Sequence, residues 1–173
     1  MPTIGVAVAI PEPWASELQD YRTAVGDTTA TMIPTHITLV PPTEIDDLQV
    51  PDVEKHLEAA AAEVASYGVH LRGTGTFRPV SPVVFVTLVE GISQCEQLAA
   101  AVRRGPLDVE LQYPYHPHVT IAHDLEDPLL DRAFDELAAF ECEFAVSDFH
   151  LYVHDEDAGW QPTRTFTLDR PAD

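Results

Sequence analysis

At 173 residues and 45% hydrophobic content, the chain is long enough for one sizeable core, or for two small lobes that share one. Its charge is lopsided: 29 acidic side chains against 9 basic ones give a formal net charge of −20, and Lys55 is the only lysine. Such a surface repels polyanions and excludes a broad basic face for nucleic acid.

Thr3 to Ile10 reads as a buried strand, ended by Pro11 and Pro13. Trp14, Leu18, Tyr21 and Val25 recur at helical spacing and place Trp14 and Tyr21 towards a core, with Gly26 closing the helix. A strand runs from His36 to Val40 and is broken by Pro41 and Pro42. From Asp52, the positions Val53, Leu57, Ala60, Val64 and Tyr67 mark one helix face that Gly68 terminates, with His56 off that face and at the surface. Val69 to Phe77 is a strand whose two glycines signal a bulge or close packing, and His70 and Arg72 share one of its faces. Val83 to Val89 is another buried strand. Ser93 and Glu96 then form a capping box for a helix whose last turn carries Arg103 and Arg104, placed to satisfy its C-terminal dipole. A His-rich segment spans Tyr113 to His123. Asp127-Pro128 opens a fourth helix, and the closing strands are Cys142 to Val153 and Thr163 to Leu168.

Cys95 and Cys142 show no metal-type pairing and read as buried thiols of a reducing compartment. The apolar run Ile4 to Ile10 has no basic residue before it and is far short of a membrane span, so the expectation is a soluble, cytoplasmic protein.

One pattern occurs twice. His36-Ile37-Thr38-Leu39 and His118-Val119-Thr120-Ile121, 82 positions apart, each put an imidazole and a hydroxyl on one strand face and two aliphatic side chains on the other. Around them the order strand, helix, His-Thr strand, helix, strand runs from about 3 to 77 and again from about 83 to 153, followed by the closing strand at about 163 to 168. No linker separates the two units, so residues 1–173 are expected to form one bilobal domain with the two His-Thr strands as symmetry mates. Two imidazoles across one cleft suit phosphodiester chemistry. One takes a proton from the attacking oxygen, the other gives one to the leaving oxygen, and the hydroxyls hold the non-bridging oxygens.

H-I-T-L at His36 and H-V-T-I at His118 resemble the paired H-x-[ST]-hydrophobic motifs of the 2H phosphoesterase superfamily. P-T-H-I-T-L-V-P-P and P-H-V-T-I-A-H are most similar to its bacterial 2′-5′ RNA ligase-like branch. The resemblance covers essentially the whole chain. It implies an α+β, bilobal, duplicated fold with two antiparallel sheets flanking a central cleft and helices outside. It implies His36, Thr38, His118 and Thr120 as the site, with His118 as base and His36 as acid. It also implies opening of 2′,3′-cyclic phosphates to 2′-phosphates with no metal or other cofactor, and joining to a 2′-5′ linkage in ligase-type members. Such members often have an arginine just after the second motif, where this chain carries His123, a weaker contact for phosphate.

Two rival readings use the same residues. His116, His118 and His123 could assemble a three-His metal site. The same cleft could also serve a non-catalytic nucleotide-binding module. Tyr115 is a candidate substrate contact, and Tyr113, Phe77 and Tyr152 are further candidates for a base-stacking wall. Arg72, Arg78 and Arg164 are the remaining candidates for phosphate. With so few cations, the expected partner of this monomer is a nucleotide-sized cyclic ester or a short RNA end. The acidic field is expected to move the titration of the His pair upward from about 6.5.

Overall fold

The computed structural model describes residues 1–170; the last three, included in the 1–173 domain reading, lie outside the described residues. Among the described residues, eight strands and four α-helices, joined in places by short 3-10 turns, make up the regular structure: β1 (Thr3–Ala9), α1 (Trp14–Val25), β2 (His36–Glu44), α2 (Val50–Ala62), β3 (Tyr67–Thr76), β4 (Val83–Glu90), α3 (Ile92–Val102), β5 (His118–His123), α4 (Asp127–Glu136), β6 (Glu141–Val146), β7 (Asp148–Asp155) and β8 (Gly159–Thr167). The strands form two four-stranded sheets with every pairing antiparallel, ordered β2-β1-β7-β8 and β5-β4-β3-β6. This is the α+β architecture of two antiparallel sheets that the family resemblance implies. No helix among the described residues is long and apolar enough to cross a membrane.

The core forms between sheets and helices because each strand is apolar on its inner face. Ile37, Leu39, Val119 and Ile121 are fully buried, as are Leu57 of α2, Leu98 of α3 and Leu130 of α4. The two His-Thr strands take matched places as edge strands, β2 of the first sheet and β5 of the second, and they lie against each other. Gly26, at φ 108°, closes α1 in the left-handed conformation that only glycine adopts without strain. The glycine-bearing strand β3 shifts register between Leu71 and Thr74, at Gly73 with φ 77°, which is the expected bulge.

Several boundaries differ from the sequence reading. β2 continues through Pro41 and Pro42 to Glu44, because the prolines fall in a bulge of an edge strand, between Val40 opposite Val6 and Thr43 opposite Ile4, where regular ladder bonds are not required. α2 ends at Ala62, and Tyr67 opens β3 instead of closing the helix. Val64 and Tyr67 satisfy the helical period and Tyr67, Val69 and Leu71 the strand period, so spacing alone could not place the break. The capping box is not formed: Gly91 caps α3, and the Ser93 hydroxyl accepts from Gln97 Nε2 at 3.1 Å instead. His56 is half-buried, its Nε2 2.8 Å from the Val102 carbonyl at the end of α3. The single strand expected from Cys142 to Val153 is two strands broken at Ser147, β6 in the second sheet and β7 in the first. The buried positions betray this break, being even-numbered up to Val146 and odd-numbered from Phe149 to Leu151.

The third strand of each sequence unit therefore crosses over. β3 follows α2 but sits between β4 and β6, whereas β7 sits between β1 and β8. Each sheet holds one antiparallel pair with a His-Thr strand at its edge; β7 and β8 of the second half complete the first sheet, and β3 of the first half is inserted in the second.

Candidate active site

Both histidines are fixed the same way. His36 Nδ1 lies 2.6 Å from the Pro34 carbonyl, and His118 Nδ1 lies 2.7 Å from the His116 carbonyl. A carbonyl can only accept, so in each neutral ring Nδ1 carries the proton and Nε2 is left with its lone pair free. The anchor comes two residues before the histidine in both motifs, so the backbone supplies the same clamp twice. Among the described residues, the hydroxyls of Thr38 and Thr120 have no hydrogen-bond partner, whereas those of Thr35, Thr43, Thr74 and Thr76 donate to backbone carbonyls. The two motifs thus bring together two free Nε2 atoms and two unengaged hydroxyls on facing edge strands.

The surroundings of the histidines are apolar. The Phe77 ring meets His118 edge-on at 4.9 Å between centroids, and Phe85 lies at 5.2 Å. His118 is pushed down from 6.5 to about 4, first by this desolvation and then by the nearby His116 and His36 rings, while its carbonyl anchor opposes the shift. His36 is also lowered, mainly by burial with a further contribution from Arg22. That His36 acts on His118 at all reflects their approach across the cleft. The upward shift expected from the acidic field is corrected: loss of water around the rings outweighs distant carboxylates, whose field solvent screens within about 10 Å.

The other candidates are placed as follows. Tyr115 is half-buried and donates its hydroxyl to the Thr38 carbonyl at 2.7 Å, so it ties the second motif segment to the first motif strand. The Arg103 guanidinium covers the Tyr115 ring at 5.4 Å, and its buried Nε has no hydrogen-bond partner. Arg103 therefore braces Tyr115 instead of serving only the helix dipole. His123 is exposed at the far end of β5, paired with Val83. Among the described residues no three His, Cys, Asp or Glu side chains converge as a metal ion would require, so His116, His118 and His123 do not form one ligand set. Arg78 is held by Asp131 at 2.9 Å, and Arg164 by Glu54 at 3.0 Å and by Glu58, which commits both cations to helix carboxylates. Arg72 and Tyr113 are exposed. Phe77 packs on Phe85 with centroids 4.5 Å apart, and Tyr152 is buried. Phe85 beside His118 and Arg103 over Tyr115 were not legible as neighbours of the motifs, because each reads locally as a strand or helix-end residue.

Two antiparallel sheets whose facing edge strands each carry an H-x-T-x motif define the 2H phosphoesterase architecture. A sequence model of the family described as the 2′-5′ RNA ligase superfamily matches residues 10–158, and the chain belongs to this family. A Geobacillus relative that carries a provisional phosphoesterase name is 30% identical over 159 residues, covering 89% of this chain and 91% of its own length. A similarly named Oceanobacillus iheyensis protein is 29% identical over 160 residues, 88% and 92% of the two chains. Among solved structures, TT0787 of Thermus thermophilus superposes with a TM-score of 0.69 at 23% identity, covering 98% of this chain and all of that one. Escherichia coli LigT complexed with ATP gives 0.64 at 21% identity over 98% and 99%. LigT has also been crystallised with 3′-AMP.

Proposed function

We propose that this chain is a metal-independent phosphodiesterase that opens the 2′,3′-cyclic phosphate of a nucleotide or a short RNA end to a 2′-phosphate. The observation that supports the reading is the doubled clamp, Nδ1 on the carbonyl two residues back in both motifs, which fixes the same tautomer twice and leaves both Nε2 atoms free for proton transfer. A neutral His118 Nε2 takes a proton from water as its oxygen bonds to phosphorus. The bond from phosphorus to O3′ breaks, and protonated His36 gives its proton to O3′. Thr38 and Thr120 donate to the non-bridging oxygens, on which negative charge grows. When a 5′-hydroxyl attacks in place of water, the same proton transfers give a 2′-5′ linkage. The second histidine supplies the cation that a metal would otherwise provide. Tyr115 is a positioning residue in this scheme, since its hydroxyl is committed to the Thr38 carbonyl. Nucleotides bound by the family relative LigT support a nucleotide-sized substrate.

The test is turnover of 2′,3′-cyclic mononucleotides followed by phosphorus NMR in the presence of excess chelator. The expected product is the 2′-phosphate, and His36→Ala and His118→Ala each lose roughly 10²–10⁴-fold in kcat/KM while remaining folded. A folded single variant with near-wild-type turnover, or a product phosphorylated at O3′, refutes the scheme. Saturable nucleotide binding with no turnover of any cyclic phosphate would make the cleft a binding module instead.

A further inference from the structure

The near-symmetry of the two sheets breaks at one pair of positions. Strand register sets Ala7 of β1 opposite Thr38, and Phe85 of β4 opposite Thr120. Because β1 and β4 hold the same place in their sheets, these two residues are equivalent. In the second sheet Phe85, with Phe77 packed on it, fills the space beside His118. In the first sheet the small Ala7 leaves that space open as a cavity of about 130 Å³, whose wall includes His36 and Thr38 themselves.

The cavity is lined further by Ile33, Pro34, Tyr152 and Trp160, and His36 at its mouth is the one lining side chain that can carry a positive charge. Trp160 reaches it because β1 has Gly5 there: a Cβ at that position would stand 3.3 Å from Trp160 Cζ3. Apolar cavities of about 150 Å³ accept one benzene ring. Beyond His36 at the mouth a phosphate would find no cation in this recess, whereas a flat uncharged ring finds aromatic and aliphatic walls. The recess opens on the same His36 and Thr38 that face the phosphate.

We propose that this recess is a subsite for one planar nucleobase, seated against Trp160 with its phosphate between the two histidines, so that the substrate enters a nearly symmetric cleft in only one orientation. The inference rests on the phosphodiesterase reading for its phosphate and on Ala7, Gly5 and Trp160 for its base. Stacking is indifferent to base identity, so purine and pyrimidine nucleotides bind within about tenfold of each other.

The experiment compares 2′,3′-cyclic AMP with glycerol 1,2-cyclic phosphate, which presents the same ring phosphate without a base. Wild-type protein prefers the nucleotide, and Trp160→Ala or Ala7→Phe lowers the ratio of the two kcat/KM values by about tenfold or more. A second measurement needs no turnover. In a Trp14→Phe background, where Trp160 is the only tryptophan, adenosine 2′-monophosphate quenches its fluorescence saturably, and Ala7→Phe weakens that binding. Equal kcat/KM for the two cyclic phosphates in the wild type, variants that slow both substrates alike, or no quenching at nucleotide concentrations that saturate turnover would each overturn the subsite. Quenching without turnover of either ester leaves the subsite standing and removes the phosphodiesterase reading.

Discussion

Lowering the pH from 7 to 4 tests the physical state of the histidine pair directly. His118 falls from 6.5 to about 4 because Phe77, Phe85 and the neighbouring imidazoles disfavour its charged form. That difference corresponds to about 3 kcal/mol in favour of the neutral ring in the folded state. The sign follows from proton uptake. Between pH 6.5 and 4 the unfolded chain binds a proton at this residue and the folded chain does not, so unfolding is favoured as the pH falls. The contribution is fully present above about 6.5, declines below it and is gone near 4. Urea unfolding of wild type and of His118→Asn at pH 7, 5.5 and 4.5 isolates it: the wild type loses up to about 3 kcal/mol relative to the variant over that range. The imidazole Cε1–H resonance, assigned by its absence in the variant, should titrate well below 6.5. Catalysis carries the same signature. The kcat/KM profile reports the free protein, in which both imidazoles are lowered, so its optimum lies on the acidic side of 6.5. The kcat profile is displaced to higher pH, because the bound phosphate anion favours imidazolium. A His118 resonance titrating at 6.5 or above in the free protein would refute the reasoning, and so would a kcat/KM optimum above neutrality.

Three further outcomes follow from the same geometry. Tyr115→Phe keeps the ring under Arg103 but strips the donor from the Thr38 carbonyl; it should cost about 1–3 kcal/mol in urea unfolding and lower kcat more than it changes KM. An unchanged kcat would mean that the brace does not position the first motif. Asp27→Ala leaves the buried Arg22 guanidinium, now bonded to Asp27 at 2.6 Å, without its counter-charge, at about 3–5 kcal/mol, and calorimetry should show a drop of roughly 10 °C in Tm. A drop under about 2 °C would show that solvent reaches Arg22. Finally, kcat/KM for a long RNA ending in a cyclic phosphate should not exceed that for a cyclic mononucleotide, and its logarithm should fall by no more than about 1.5 units per tenfold rise in salt. A strong preference for the polymer with a slope of several units would contradict a site that contacts one or two phosphates.

What the sequence disclosed was whatever repeats or alternates. His36, Thr38, His118 and Thr120 stand out because two short patterns recur in similar surroundings, and their strand alternation already sets Ile37, Leu39, Val119 and Ile121 inward, where they are fully buried. Interactions between distant segments were not legible. The Arg103–Tyr115–Thr38 brace joins a helix end, a loop and an edge strand, and the nearest readable role for Arg103 was as a helix-end cation. The downward shift of both histidines depends on Phe77 and Phe85 arriving from β3 and β4, while composition reported only the many carboxylates. Arg78 and Arg164 were candidate phosphate contacts until their helix partners, Asp131 and Glu54, came into view. The break at Ser147 was in principle readable, since buried residues change phase there.

The exchange of β3 and β7 between the sheets also governs how the chain can be cut. A polypeptide stopped in the Pro79–Pro82 turn would hold β3 with neither of its neighbours, because β4 and β6 come later, and β1 would lack β7. Neither half of the chain is thus a separable module: each sheet closes only when both halves have been made. Folding must wait for contacts between segments far apart in the chain, which favours slow assembly. The same threading makes the spacing of the two histidines a property of crossed strands, not of a hinge. Each half of the chain is laced into the sheet of the other, so neither His-Thr strand can be supported by its own half alone.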